Sequence, residues 1–161
     1  ALKVTREDFC IPLDNTLFMY YRFLGILENP MKNGKSGTGY EMQTSLTVLS
    51  LGEKTLALLP GELFPELVTG DGLTSDAPEP LRAVAARHGV SDLLVAGLCN
   101  DEIGYVVPPS DYLLDEALPF IQEARDESSR GHYEETNSVG REAARCIAEA
   151  LDRALEAHCG E

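Results

Sequence analysis

The sequence predicts a layered α/β or α+β domain, in which a mixed β-sheet is flanked by helices and the chain ends in a long helix. Two observations carry this prediction. Apolar, strand-like segments at 40–60 and 91–98 alternate with a helical segment at 79–89. Residues 138–158 then repeat apolar residues at helical spacing, opposite a charged face. The length suits one core, so residues 1–161 are interpreted as a single domain.

The first third of the chain begins with a short strand at residues 2–9. Asp14 or Asn15 then caps a helix over residues 16–27, where aromatic residues and leucines form an apolar face. The next segment, 28–39, is rich in small turn-forming residues and predicts a loop.

The middle of the chain begins with two strands within 40–60, whose short Leu-Gly-Glu-Lys connection predicts an antiparallel hairpin. The second strand is apolar on both faces, so it is expected inside the sheet. A short helix is predicted at 61–68, with Pro65 in its first turn. The helix before the last strand ends at Gly89, and a weak helix is predicted around 115–127.

The charge balance argues against two classes of partner. The chain has 27 acidic and 13 basic residues and a formal charge of −14, which repels phosphate backbones and anionic membranes. We therefore expect no nucleic-acid partner. No run of about 18 apolar residues occurs, so the sequence predicts no transmembrane segment.

The four cysteines are widely spaced and contain no C-x-x-C pair, which excludes zinc-ribbon and redox motifs. Cys99 ends an apolar strand and Cys146 lies on a helix face, so both are interpreted as small buried hydrophobic residues. A cytoplasmic location is the simplest for such a chain. The opening residues, ALKVTREDF, match neither a secretion signal nor an initiator start, so we expect a portion of a longer protein.

Two familiar kinds of binding motif are incomplete in this sequence. The stretch NGKSGTGY has Asn29 where a phosphate-binding loop needs glycine, and no helical pattern follows it, which favours a mobile loop. His88, His132 and His158 lie far apart and do not form a metal site by themselves. His88 and His158 are expected in the last turns of helices, where a cation suits the helix dipole.

The ends of two apolar strands carry the best candidates for chemistry. LALLPGELF places Glu62 directly after one strand, and LLVAGLCNDEIGY places polar residues after another. Ligand sites in layered α/β domains gather at strand ends, so these two ends are candidates to converge. The alternative for Glu62 is that it only complements the dipole of a short helix. Asp101 and Glu102 are interpreted as surface residues of a turn.

Three motifs in a fixed order resemble the neutral/alkaline non-lysosomal ceramidase-like family. They are LALLPGELFPEL with its Pro-Gly-Glu, LLVAGLCNDEIGYVVPPSDY with its Gly-Leu-x-Asn and Gly-Tyr, and HYEE with its Tyr-Glu pair. The hairpin TSLTVLSLGEKTLALLP also looks like the family's strand pair before Pro-Gly-Glu. The resemblance covers roughly residues 40–135, and it implies the C-terminal part of the catalytic region of a hydrolase.

By this resemblance, Glu62 and Tyr105 are zinc ligands, and the catalytic Tyr133 hydrogen-bonds near the reacting amide. The supporting residues at the same loops are Gly61, Asn100 and Gly104. Zinc accepts carboxylate and phenolate oxygen, and it polarises carbonyl groups. The family's two zinc histidines lie upstream of Pro-Gly-Glu, where this chain has none. The resemblance therefore implies zinc in the complete protein, none bound stably by this chain alone, and an N-terminal portion of the same protein as partner.

Two functions remain open from the sequence. The first is part of a zinc-dependent amide hydrolase with an N-acyl substrate such as ceramide, inactive alone without the upstream histidines. The second is a non-catalytic structural or interaction domain that keeps the ceramidase-like fold. In the second case the apolar segment 16–27 forms an interface with the missing portion or with a second copy, giving a homo-oligomer.

Overall fold

A five-stranded main sheet and two short strand pairs form the β-structure of the protein. The computed structural model describes residues 1–160. The strands are β1 (Leu2–Leu13), β2 (Met31–Asn33), β3 (Tyr40–Leu51), β4 (Lys54–Leu58), β5 (Glu62–Leu63), β6 (Leu93–Ala96), β7 (Tyr105–Val106), β8 (Ala124–Arg125) and β9 (Gly131–His132). The helices are α1 (Thr16–Phe23), α2 (Glu66–Thr69), α3 (Leu81–Arg87), α4 (Tyr133–Thr136) and α5 (Ala143–Cys159).

The main sheet has the strand order β1-β3-β4-β6, and β2 also pairs with β3. Its pairings are antiparallel except that of β4 with β6, so the sheet is mixed. β3 and β4 form the predicted hairpin, and the apolar β4 lies inside the sheet. The predicted fold class, a mixed sheet flanked by helices with a long C-terminal helix, is confirmed.

The core lies between this sheet and the C-terminal helix. α5 packs across β1 and β3, and α3 packs against α5. Alternation along β1 turns Phe9, Ile11 and Leu13 inward, and the apolar stripe of α5 buries Ile147 and Leu151 against them. Full burial of such a side chain stabilises the fold by about 1.5–3 kcal/mol.

The opposite face of the sheet carries an apolar row that follows the strand register. Alternate residues of β1 contact α5, so the residues between them point away from it. Val4 pairs with Leu49, Leu49 with Leu56, and Leu56 with Leu94, which places one apolar side chain from each strand in line. Val4 and Leu94 are 55% and 43% exposed, so this face leaves apolar surface open to solvent.

The C-terminal helix begins later than its sequence pattern predicts. α5 starts at Ala143, and the predicted cap Ser138 is buried outside the helix. The backbone of this segment forms tertiary contacts instead, because Ser138 bridges to Gly104 and the carbonyl of Val139 accepts from Asn15. A carbonyl held by another segment is not available for the first helical turn.

Two other predicted helices are wrong in part or whole. The segment 61–68 forms β5 followed by α2, so Glu62 lies on a strand and does not complement a helix dipole. The segment 115–127 forms turns and β8. Asp115 accepts hydrogen bonds from the nearby amides of residues 117 and 118, and Phe120 adopts φ 65°, which ends the local turn before a helix can continue.

The strands are more extensive than the sequence pattern predicts. β1 continues to Leu13, beyond the predicted end at residue 9, because it pairs with β3 along its whole length. The predicted loop 28–39 contains β2, which pairs with the same strand. Both additions depend on a partner strand that is distant in sequence, so local periodicity underestimates them.

The helices are short or amphipathic. The longest, α5, has 17 residues and places charged side chains opposite its buried stripe. Within residues 1–160, no helix has both the length and the apolar composition needed to cross a lipid bilayer.

His158 is packed between the C-terminal helix and the sheet. Its Nδ1 lies 2.8 Å from the hydroxyl of Thr5, and its Nε2 lies 2.7 Å from the hydroxyl of Ser50. Burial and the nearby charge of Lys3 lower the pKa of His158 below its ordinary value. His158 lies in the last turn of α5 as predicted, but its lowered pKa disfavours the cationic form there.

We predict that His158 weakens the fold in mild acid. Its pKa is lower in the folded than in the unfolded chain, so the unfolded chain binds the extra proton first as the pH falls below about 6.5. The free energy of unfolding should then fall between about pH 7 and pH 5. His158→Gln, measured by denaturant unfolding, should remove that part of the pH dependence. An equal slope in the variant and the wild-type chain would contradict the assignment.

Candidate functional site

The two strand ends that the sequence singled out lie side by side. β5 follows β4 directly, and β7 follows the loop after β6. These two short strands pair in parallel, with Glu62 opposite Tyr105 and Leu63 opposite Val106. The amide of Glu62 donates to the carbonyl of Gly104 over 3.0 Å. A carboxylate and a phenol are thereby fixed as neighbours by backbone pairing.

Glycines allow the backbone segments at this point to approach each other. Gly61 adopts φ 75°, and a Cβ there would lie 2.4 Å from the carbonyl oxygen of Gly104. Gly104 adopts φ 79°, and a Cβ there would lie 1.8 Å from the carbonyl oxygen of Asn137. A Cβ on Gly97 would lie 2.8 Å from the carbonyl oxygen of Gly61. No side chain fits at these crossings, so all three positions require glycine.

The third predicted residue, Tyr133, reaches the site from the far end of the sequence. The amide of Tyr105 donates to the carbonyl of Asn137 over 2.9 Å, which holds the end of α4 against β7. The Tyr133 ring then meets the Tyr105 ring edge to face, with centroids 5.6 Å apart. The two hydroxyl oxygens are 3.4 Å apart. Glu62, Tyr105 and Tyr133 therefore form one continuous cluster.

These side chains line an open cavity of about 450 Å³. Its polar wall consists of Glu62, Glu102, Tyr105, Tyr133 and Asn137, and its apolar wall consists of Phe18, Leu27 and Leu98. A neighbouring groove of about 610 Å³ shares Glu62 and Leu98 with this cavity. The carboxylate of Glu62 thus lies on the boundary between two hollows.

Negative charge is unfavourable on two side chains of this cluster. The Tyr133 hydroxyl, then burial and the negative charge of Glu62, raise the pKa of Tyr105 to about 12. Burial raises the pKa of Glu102, and the charge of Glu62 adds to that rise. Both side chains therefore favour their protonated, uncharged forms more than free side chains do.

The turn after β6 is hydrogen-bonded to the main sheet through its side chains. Asn100 adopts φ 68°, and its side-chain amide donates to the carbonyls of Ser45 and Leu58 at 3.1 and 3.2 Å. Asp101 is half-buried and accepts from Thr44 and Asn29, each over 2.7 Å. The interpretation of Asp101 as turn surface is wrong, because its carboxylate binds β3 and the segment before β2.

Glu102 and Asn137 also belong to the cavity, although the sequence did not identify them as site residues. Glu102 is exposed as predicted, but its Oε1 accepts from the amide of Gly104 over 2.7 Å. This bond fixes the loop that precedes Tyr105. The spacing of an acid two residues before a glycine indicates such a loop contact. Asn137 carries no comparable local signal.

Asn15 connects the first helix to the site. Its Oδ1 accepts from the amide of Leu17, which confirms the predicted cap of α1. Its Nδ2 donates to the carbonyls of Thr136 and Ser138 at 2.9 and 2.8 Å. Asn15 is fully buried, and its side chain holds the start of α1, which contributes to the cavity wall, against the end of α4 and the residues just after it.

The histidines contact structural partners away from the cavity. His88 lies 2.7 Å from a carboxylate oxygen of Asp152, and His132 contacts Glu135 beside α4. In the part of the chain that the structure describes, no group of three or more His, Cys, Asp and Glu side chains is arranged to hold a metal.

The cysteines are free and lie outside the cavity. Cys99 and Cys146 are partly buried, and burial raises the pKa of Cys146 to about 11. A thiol with a raised pKa is a poor nucleophile at neutral pH. Because both side chains are only partly buried, the prediction that they are buried packing residues holds only in part.

Comparison with protein-family models and with curated proteins found no match for this chain. The ceramidase-like resemblance therefore remains a prediction from three motifs.

We predict that Gly104→Ala disrupts the site and lowers stability. The new Cβ meets the Asn137 carbonyl and strains a left-handed backbone, so the free energy of unfolding should fall by about 3 kcal/mol or more. Gly52→Ala is the matched control, because Gly52 has φ 62° but nothing within 4 Å of its Cβ position. Its loss should be only about 1 kcal/mol. Equal losses in denaturant unfolding would show that the crossing tolerates a side chain.

Proposed function

We propose that this chain is part of a zinc-dependent amide hydrolase of the ceramidase-like kind, acting on an N-acyl substrate. The observation that carries the proposal is the pairing of Glu62 with Tyr105, with Tyr133 against the same tyrosine. These are the residues that the motif resemblance names as two metal ligands and one catalytic tyrosine. Their contact depends on three segments far apart in sequence, which makes the coincidence informative.

The donor groups fit zinc as half of a ligand set. A carboxylate and a phenol oxygen lie side by side at one cavity, and both are oxygen types that zinc accepts. A cation bound here lowers the raised pKa of Tyr105 and so favours the phenolate that a metal ligand requires. Zinc sites use about four ligands, so the nitrogen ligands must come from outside this chain. We propose an N-terminal portion of the same protein as their source.

The residues of this chain have separate tasks in the proposed reaction. Zinc, when bound, supplies Lewis acidity toward a carbonyl and lowers the pKa of water. The Tyr133 hydroxyl, at the edge of the cavity, orients the amide of the substrate by hydrogen bonding. The apolar wall of Phe18, Leu27 and Leu98 takes up the acyl part and limits access of water.

The compartment we propose is the cytoplasm. The four cysteines are free thiols in the structure, which suits a reducing environment.

Chemical complementation with imidazole tests the metal role of Glu62 and Tyr105. Imidazole in solution can supply the missing nitrogen ligands, so zinc should bind the wild-type chain more tightly when imidazole is added. Competition with a chromogenic chelator measures the affinity. Glu62→Gln or Tyr105→Phe should lower the imidazole-dependent affinity by about tenfold or more.

The control for this experiment is Glu53→Gln, which removes an acid from the exposed turn between β3 and β4. It accounts for the general loss of negative charge in a chain of net charge −14. Zinc affinity that is equal in Glu62→Gln and Glu53→Gln would exclude Glu62 as a ligand and would overturn the proposed function.

The second candidate function, a non-catalytic interaction domain, is favoured by one observation. The segment at and after α1 exposes large apolar side chains, with Phe23 at 93%, Leu24 at 73% and Ile26 at 65%. Exposure of neighbouring apolar residues on this scale is typical of an interface. The same segment walls the cavity through Phe18 and Leu27, so a partner bound here also covers the candidate site.

If this surface joins two copies, the chain self-associates. The weight-average mass in sedimentation should rise above 17.5 kDa with concentration, and Phe23→Ser with Leu24→Ser should return it to the monomer value. Val4→Ser with Leu51→Ser removes exposed apolar side chains from the sheet instead and serves as the control. A wild-type chain that stays monomeric at all concentrations would exclude a homo-oligomer through this segment.

A further inference from the structure

We infer that His132 and Glu135 form a positioning pair that sets the direction of the Tyr133 side chain into the cavity. The inference rests on the proposed function only for the catalytic role of Tyr133. The contacts of the pair are all made within this chain. The two residues flank Tyr133 in sequence, and neither lines the cavity itself.

The pair is defined by a short buried contact. His132 Nδ1 lies 2.7 Å from Glu135 Oε1, and the residues are 6% and 1% exposed. The amide of Leu113 also donates to the same oxygen over 3.2 Å. Because this oxygen accepts from an amide, it acts as an acceptor, and His132 Nδ1 is the donor. The structure therefore predicts the Nδ1–H tautomer of His132.

Stability alone does not explain such a pair. Within residues 1–160, His132 Nε2 and Glu135 Oε2 are buried without a hydrogen-bond partner, and the nearest carboxylate oxygen of Asp126 is 3.8 Å from Nε2. Buried polar atoms without partners cost free energy, and apolar residues of similar size often stabilise a core better. The directional hydrogen bond between His132 and Glu135 instead fixes the geometry of the turn that the two residues span.

The residue between the two partners needs such support. α4 has only four residues, and its N-cap residue His132 makes no side-chain capping bond. A single helical turn is too short to hold its own shape in water. The Tyr133 side chain is 45% exposed, and its hydrogen-bonding contact is the Tyr105 hydroxyl. The bond from His132 to Glu135 spans this turn from inside and fixes the side from which Tyr133 projects.

Nuclear magnetic resonance of the full chain with labelled tyrosine and histidine rings tests the pair without metal or substrate. In the wild-type chain, a cross-peak should join the Tyr105 and Tyr133 rings, and His132 should carry its proton on Nδ1. Glu135→Leu should abolish the ring cross-peak while the amide spectrum of the main sheet is retained. Glu135→Gln keeps an acceptor oxygen and should retain the cross-peak. If the negative charge of Glu135 were needed instead of its hydrogen bond, this variant would lose the cross-peak.

The control is Glu134→Gln, because Glu134 is the half-buried neighbour on the same turn and makes no side-chain hydrogen bond among the described residues. It should leave the cross-peak unchanged.

A retained cross-peak in folded Glu135→Leu would overturn the inference. The Nε2–H tautomer in the wild-type chain would do the same, and this measurement decides the question even where Glu135→Leu fails to fold. The ring cross-peak and the His132 tautomer are measured without zinc, so they do not depend on the result of the imidazole experiment. Failure of the proposed function can therefore be distinguished from failure of this inference.

Discussion

At Gly61 and Gly104, backbone segments approach each other so closely that no side chain fits between them. The carbonyl of Gly104 accepts from the amide of Glu62, and Gly104 itself packs against the carbonyl of Asn137. Direct backbone contact of this kind fixes distance and register more tightly than side-chain packing does, because the backbone has few soft torsions. The end of β4, the loop after β6 and the end of α4 thereby become one rigid unit.

This unit explains why oxygen-bearing groups collect at one place in an acidic chain. Parallel pairing of Glu62 with Tyr105 puts a carboxylate beside a phenol, and the raised pKa of Tyr105 records the unfavourable effect of that neighbour and of Tyr133. At neutral pH the raised pKa keeps the phenol of Tyr105 protonated beside the Glu62 carboxylate. The proposed metal role is based on this contact between the carboxylate and the two phenols.

Side-chain hydrogen bonds take the place of regular elements in the second half of the chain. Between β6 and α5 the elements have at most four residues, so helix and sheet hydrogen bonds satisfy few backbone groups there. Asn15 and Glu135 fill this role, because Asn15 donates to the carbonyls of Thr136 and Ser138 and Glu135 accepts from the amide of Leu113. These side chains contribute to stability only while their hydrogen bonds are formed. The same hydrogen bonds therefore maintain both the candidate site and the fold of this half of the chain.

Local pattern determined much of this fold. The hairpin, the buried strand β4, the stripe of α5 and the cap Asn15 follow from periodicity and capping chemistry, which act within a few residues. The same short range explains the error at α5, whose predicted start at Ser138 is prevented by contacts with distant segments. The helix predicted at 115–127 fails for a local reason, because Asp115 caps a turn that the positive φ of Phe120 ends. The local pattern predicts Asp101 at the surface because the strand β3 that it binds is more than 50 residues away. The sequence by itself identified Glu62, Tyr105 and Tyr133 as separate candidates through motif order. Only the tertiary structure decided that they touch, because the backbone crossings at Gly61 and Gly104 join segments whose distance no local spacing encodes.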